Sequence, residues 1–248
     1  AVVPIATGWD LYAIDAVNKN QGPSSIHLFG TDSLGRDLFT RVWQGARVSL
    51  IVAIACTIIQ AVIGCLYGGI MAYFGGIVDD IMMRIIEIVT SVPSLLVNLL
   101  MMMVLGNGMG ALLVAMCITS WCATARQMRG MIMQLRESEY VLAAETLGAS
   151  PKRIIIKHLI PNCLGVLILN LATHIPQYIF TESGLSFLGL GLQAPEISLG
   201  NLLSAGQEQM MFYPSQLICP SIVLVVIVLA FNLLGDGLRD ALDPRLRQ

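Results

Sequence analysis

Apolar and polar positions divide this chain into long blocks. Five stretches, roughly 48–74, 85–105, 109–125, 162–182 and 215–236, are almost wholly apolar. A helix needs about 20 such residues to cross hydrocarbon, where the backbone must satisfy its own hydrogen bonds. The pattern predicts an all-α polytopic membrane protein with five spans. Before the first span, segment 36–47 places Leu38, Phe39, Val42, Trp43 and Ala46 on one helical face. Arg36, Asp37, Thr40, Arg41, Gln44 and Arg47 take the other. Such a helix suits the membrane interface, with Trp43 at headgroup depth; a helix packed on a partner would carry the same pattern.

Composition agrees. Of 248 residues, 56% are hydrophobic and 12% charged, against about a quarter charged in a soluble domain, and the mean hydropathy is +0.75. A net charge of −2 gives no reason to expect a nucleic-acid partner. The positive charges orient the chain. Segment 126–161 carries Arg126, Arg129, Arg136, Lys152, Arg153 and Lys157, and the tail adds Arg239, Arg245 and Arg247. The connection 183–214 has no Lys or Arg. The basic loop and tail therefore face the cytoplasm and residues 1–46 lie outside, although Arg36, Arg41 and Arg47 run against the rule. The expected organisation is an extracytoplasmic segment 1–46, a transmembrane domain 47–236 containing the loop 126–161, and a cytoplasmic tail 237–248. The opening Ala-Val-Val-Pro has neither an initiator methionine nor a signal peptide, so further sequence is expected upstream.

Candidate chemistry is sparse. The six cysteines, at 56, 65, 117, 122, 163 and 219, lie mostly in apolar runs without C-x-x-C spacing, which reads as buried packing rather than disulfides or metal. Asn170, Thr173, His174 and Gln177 recur on one helical face, where Pro176 loosens the backbone. Ser91, Ser94 and Asn98, with Glu87, make a second stripe. Polar stripes either line a wet path or hydrogen-bond helices together, and the first reading makes these residues pathway-lining. His174 reads as a wall residue and Met101–Met103 as adaptable packing; no metal ligand set is expected. Arg84 and Glu87 are spaced to pair. No G-x-x-x-x-G-K-[ST] motif and no nucleophile–base constellation occurs, so the chain is not expected to hydrolyse ATP or act as an enzyme.

The loop is more specific. Segment 137–147 is rich in helix formers and Gly148 supplies a stop. Ser150-Pro151 starts a second helix over 152–160, which Pro161-Asn162 should break. Small residues Ala143, Ala144 and Gly148 leave room for another protein. Tyr140-Val-Leu-Ala-Ala-Glu-Thr-Leu-Gly-Ala-Ser, followed by Ile160-Pro161-Asn162, resembles the EAA loop of ABC importer permeases. Leu142 stands where that motif has Glu, and His158 where it has Ile. The resemblance implies that Glu139, Tyr140, Ala143, Ala144, Glu145, Leu147, Gly148, Ala149 and Ser150 form a coupling helix and turn that dock on a cytoplasmic ATPase.

Three further stretches resemble the C-type subunit of dipeptide, oligopeptide and nickel permeases: His27-Leu-Phe-Gly-Thr-Asp-Ser-Leu-Gly-Arg-Asp-Leu-Phe, Glu182-Ser-Gly-Leu-Ser-Phe-Leu-Gly-Leu-Gly-Leu, and Phe231-Asn-Leu-Leu-Gly-Asp-Gly-Leu-Arg-Asp-Ala-Leu-Asp-Pro-Arg. That family has the type I ABC importer transmembrane fold with one more span, upstream of this chain. It implies a bacterial cytoplasmic membrane location, a homologous second permease, two ABC ATPase subunits carrying ATP and Mg, and an extracytoplasmic substrate-binding protein. No cofactor is expected on this chain. Peptide is the expected cargo, with nickel or a metal chelate as alternatives. A gradient-driven secondary transporter or channel is the reading of another class; it would show intramembrane charge relays or matched repeats, and neither is evident.

Overall fold

The apolar runs fold as helices, but their ends and breaks differ from those expected. The computed structural model describes residues 8–193 and 195–242, without the side chains of 164, 166, 168–170, 172, 239, 240 and 242. The elements are α1 (Leu38–Phe74), α2 (Gly76–Ser91), α3 (Ser94–Leu105), α4 (Met109–Arg136), α5 (Glu139–Thr146), α6 (Pro151–Arg153), a π-helical stretch Ile154–Leu159, α7 (Ile160–Phe187), α8 (Leu199–Glu208) and α9 (Ser215–Leu242). Among the described residues there is no strand, only an isolated bridge between Thr31 and Asp37.

Three helices are long and apolar enough to cross a membrane: α1, α4 and, over Ser215–Leu238, α9. The expected span 85–105 is instead the bent pair α2 and α3, turned through 79°. Pro93 causes the break. It has no N–H to give, and it pushes Val92 out of the helical region, to φ −94° and ψ 132°. Segment 162–182 lies within α7. The described residues thus support three spans, or four with the bent pair, and the count of five is not established. The span expected to end at 125 continues as α4 to Arg136. Segment 36–47 is not a separate interfacial helix: α1 starts at Leu38 and runs unbroken to Phe74, because nothing between Arg47 and the apolar run interrupts it. Its expected polar face is also partly covered, with Thr40 and Arg41 buried.

The described residues fall into two compact units. The first comprises Ala1–Ile54, Met101–Leu113 and Ile175–Asn232. Its N-terminal part is a knot of backbone turns. Gly30 and Gly35 have φ near 80°, a region costly for other residues, and a side chain at either would run into the backbone of Gln21 or Asp15. Asp37 starts α1, its Oδ2 accepting from the Thr40 N–H at 2.8 Å and the Thr40 hydroxyl at 2.7 Å. Its Oδ1 pairs with His27 Nδ1 at 2.9 Å. Gln216, at the start of α9, donates to Asn20 Oδ1 and the Thr31 carbonyl at 2.8 and 3.0 Å. In the same unit, Glu182 of α7 is wholly buried. It accepts from the Ser49 and Ser186 hydroxyls at 2.6 and 2.9 Å. Ser49 in turn accepts from the Leu199 N–H, and Ser198 caps α8 through the Asn201 N–H. One carboxylate thereby ties α1, α7 and the first turn of α8 together.

The second unit comprises Ala55–Leu100, Val114–His174 and Leu233–Gln248. Here α1 and α4 approach closely at Gly64 and Gly68. A Cβ on Gly68 would lie 2.8 Å from Met128 Cβ and closer still to the Ala125 carbonyl oxygen. Gln60 donates to Thr124 Oγ1 at 2.6 Å beside this contact. A core cluster of Met128, Ile132, Val141, Ile154, Leu159 and Cys163 joins α4 to the helical loop and the start of α7.

Candidate functional site

A helix of eight residues is too short to be stable alone in water, so α5 must be held by its neighbours. It is held at one buried position. Val141 has no exposed surface and packs into the core cluster with Ile132, Ile154 and Leu159. Glu139, Tyr140, Leu142, Ala143, Glu145 and Thr146 are exposed, and Ala144 is half-buried. Two hydrogen bonds brace the ends: Tyr73 Oη donates to Glu145 Oε1 at 3.2 Å, and Asn162 Nδ2 donates to Tyr140 Oη at 3.3 Å.

The turn after α5 is well defined. Gly148 has φ +79°, the Ala149 N–H reaches back to the Ala144 carbonyl at 3.0 Å, and the Gly148 N–H reaches Glu145 at 2.9 Å. These are the paired bonds of a Schellman end, which needs a left-handed residue at the Gly148 position. The expected helix 137–147 is thus trimmed to Glu139–Thr146 with the stop where expected. Leu147, just before the turn, is 87% exposed. Ser150 is extended and Pro151 opens the next helix, though the Ser150 side chain makes no capping bond.

Pro161 does not end that helix. The chain widens into π-helical turns over Ile154–Leu159 and continues into α7. A proline removes one hydrogen bond and crowds the preceding turn; the wider turn before it gives the ring space, and Asn162 Nδ2 donates to the His158 carbonyl at 2.6 Å.

Behind α5 lies a cavity of about 520 Å³, bordered by Gly75, Asp79, Arg136, Glu137, Leu142 and Glu145. Asp79 is clamped by Arg129, whose Nε donates to Oδ1 at 2.5 Å and whose Nη2 meets Oδ2. Arg84 and Glu87 pair at 2.7 Å, as their spacing predicts. The long-range Asp79–Arg129 clamp has no such local signal, since the partners are fifty residues apart. The Glu182 hub was likewise legible only as part of a motif.

The polar stripes separate. The bend at Val92-Pro93 puts Ser91 and Ser94 on different helices, both exposed. Asn98 is buried, and its amide nitrogen donates to the Ser94 and Ala115 carbonyls at 3.2 and 2.9 Å, so it joins helices rather than facing a path. Thr173 and Gln177 are exposed four residues apart on α7, with His174 half-buried. The side chain of Asn170 lies outside the described residues, as do the side chain of Arg239 and all of Arg245 and Arg247. All six cysteines are free.

Comparison with known proteins identifies the family. Residues 60–248 match the family described as binding-protein-dependent transport system inner membrane component. The chain is 43% identical to the Bacillus subtilis oligopeptide transport system permease protein OppC over 99% of this chain and 80% of that protein. It is 47% identical to the dipeptide permease DppC of the same organism, over 93% and 72%. The Pectobacterium atrosepticum glutathione transport system permease protein GsiD is 39% identical over 92% and 76%. Among solved structures, an inward-facing MetNI methionine ABC transporter matches with a TM-score of 0.65 at 18% identity, covering 82% of this chain and 96% of that one. That likeness bears on the fold alone. With the family matched over most of its length and close relatives along nearly all of it, the chain belongs to the binding-protein-dependent transport system inner membrane components, the membrane permeases of ABC importers.

Proposed function

We propose that this chain forms half of the translocation pathway of an ATP-driven peptide importer and passes the ATPase stroke to the membrane through α5. The observation that carries the reading is the lopsided burial of α5: one side chain, Val141, is anchored, while Leu142 and Leu147 are left exposed beside a Gly148 turn. A short helix in that state presents a small, shaped surface for another protein to cover. The relatives named above are oligopeptide, dipeptide and glutathione permeases, which favours peptide over nickel as cargo.

On this reading ATP and Mg sit in two separate ATPase subunits. A homologous permease supplies the other half of the path, and an extracytoplasmic binding protein delivers the peptide. Closure of the ATPases moves α5, and the core around Val141 transmits that motion to α4 and to the start of α7. Gln177 and Thr173 are the pathway-facing candidates on α7, and Ser91 and Ser94 flank the bend between α2 and α3. Asn98 is withdrawn from that set.

The test is co-expression of the full set of subunits and purification through this chain, comparing wild type with Leu147→Asp. The reading expects ATPases to accompany the wild type and to be depleted in the variant, with ATP-dependent peptide uptake into vesicles lost in step. Retention of the ATPases and of uptake by Leu147→Asp would remove α5 from the interface. Uptake that follows an ion gradient without ATP would replace the mechanism altogether.

A further inference from the structure

The N-terminal knot and α8 enclose a second cavity, of about 420 Å³, within the first unit. Apolar and polar groups share its lining, and charged and amide side chains are concentrated there: Asp32, Arg36 and Arg41 come from the knot and the start of α1, and Glu196, Asn201 and Gln216 from α8 and its flanks. The charges are not equivalent. Asp32 is committed within the knot, with Oδ1 accepting from the Leu34 and Arg36 N–H groups at 2.9 and 3.0 Å. Its Oδ2 accepts from Arg36 Nε at 2.7 Å and stands 3.4 Å from Arg41 Nε. One carboxylate therefore props two guanidiniums side by side, and one positive charge is left over between them.

The two arginines have donors to spare. A guanidinium carries five N–H bonds. Those described as engaged are Arg36 Nε, and Arg41 Nη1 to the Leu11 carbonyl at 2.9 Å. The Arg41 side chain is 9% exposed, and its Nε is buried without a hydrogen bond. A buried guanidinium with open donors beside a second arginine is poised for an acceptor, and a carboxylate matches its fork geometry. Asn201 and Gln216 are held in place on the far wall. Asn201 Nδ2 donates to the Leu192 and Glu196 carbonyls, both at 3.3 Å, and Gln216 is fixed to the knot. The wall itself is set by the Glu182 hub, which orders the first turn of α8. Glu196, exposed at the rim, carries a charge that opposes an incoming anion, as does the arginine-paired Asp32.

We propose that this cleft receives a carboxylate side chain, Asp or Glu, presented by the extracytoplasmic binding protein when it docks. The inference rests on the proposed function, because it needs both the partner and the outward placement of residues 8–37. Charge complementarity selects an acidic side chain over a basic one, since Asp32 already accepts three hydrogen bonds and faces both guanidiniums, whereas the arginines keep donors unengaged. Arg36 is the primary contact, and Arg41 is the positioning residue behind it. Glu196 lowers affinity for wrong or premature anions by like-charge repulsion.

The experiment uses the complete transporter in nanodiscs and its purified binding protein, measuring the Kd between them at fixed ionic strength. Arg36→Gln should weaken docking by about tenfold or more and Arg36→Lys by less, while Glu196→Gln should tighten it by a few fold. Reversing the responsible acidic residue of the binding protein to Arg should restore docking to Arg36→Glu. Sodium glutamate, compared with sodium chloride at equal ionic strength, separates the sources: competition in the absence of any rescuing charge reversal would mean a free small carboxylate, and would overturn the docking assignment. Unchanged Kd in Arg36→Gln and Glu196→Gln would overturn it too. In either case ATP-dependent peptide uptake by the wild-type complex, measured in the same preparation, would leave the transport reading standing.

Discussion

Gly148 offers the cleanest separation of backbone strain from bulk. Its φ of +79° lies in the left-handed region, and a Cβ built there meets nothing within 4 Å. A Cβ there is clear of the described residues, so the cost of a small side chain is chiefly conformational. For an ordinary L-residue that is about 1–2 kcal/mol, more for a β-branched residue and less for Asn, which tolerates this region. One to two kcal/mol changes a two-state ratio by about 5–30-fold. Because the turn supports an eight-residue helix held by one buried side chain, Val141, and two peripheral hydrogen bonds, that shift falls on the geometry of α5 rather than on the stability of the chain. In reconstituted complexes, Gly148→Val should cut peptide uptake per ATP hydrolysed by about 5–30-fold, with membrane levels near wild type. Gly148→Asn should stay within about threefold. Full coupling in Gly148→Val would refute the reasoning. Equal damage from Val and Asn would refute it differently, by showing that the covering partner leaves no room for any side chain.

Other positions give independent checks. Arg129→Ala leaves Asp79 nearly buried and unpaired; with Arg129 itself partly exposed, the loss should be about 1–3 kcal/mol, read as a lower Tm of the purified complex and partly recovered by Asp79→Asn in the same chain. Gly68→Ala forces α1 from the α4 backbone at Ala125 and should destabilise by about 1–3 kcal/mol, whereas Gly130→Ala, with open space around it, should be neutral or slightly stabilising by thermal unfolding. Glu182→Ala strands the Ser49 and Ser186 hydroxyls and should disorder α8, seen as faster proteolysis between residues 188 and 210, while Glu182→Gln, which keeps an acceptor, should be milder.

Helix content and most helix positions were legible in the sequence because the bilayer signal is blunt: long apolar runs permit little besides helix. What it missed were junctions. Composition does not distinguish a straight span from one folded at Val92-Pro93, since the apolar run meets the length criterion only when counted across the proline. Pro161 gave the opposite error. The same rule that breaks the chain at Pro93 predicted a break there too, and a π-helical turn absorbed it. The start of α1 differs from its expected form for a third reason. The pattern in 36–47 is amphipathic, but its polar side faces the N-terminal knot through Asp37, Thr40 and Arg41 rather than water, and such tertiary cover has no local signature.

The candidate site shows the same division more sharply. Gly148 was readable because a left-handed stop in a run of helix formers is a backbone demand that few residues meet. The polar stripes were not separable by spacing alone, since a path-lining Asn and a helix-joining Asn obey the same periodicity. Asn98 resolves into the second class only when the Ala115 carbonyl is seen within 2.9 Å, and Gln177 stays a pathway candidate because its side chain is exposed. Glu182 is the instructive opposite. A carboxylate among apolar residues reads first as a transport group, yet here its bonds run to the Ser49 and Ser186 hydroxyls of α1 and α7 and brace the first turn of α8. Charge in a membrane protein therefore marks function only after its bonds are traced: Glu182 is spent on architecture, and the unspent donors are those of Arg36 and Arg41.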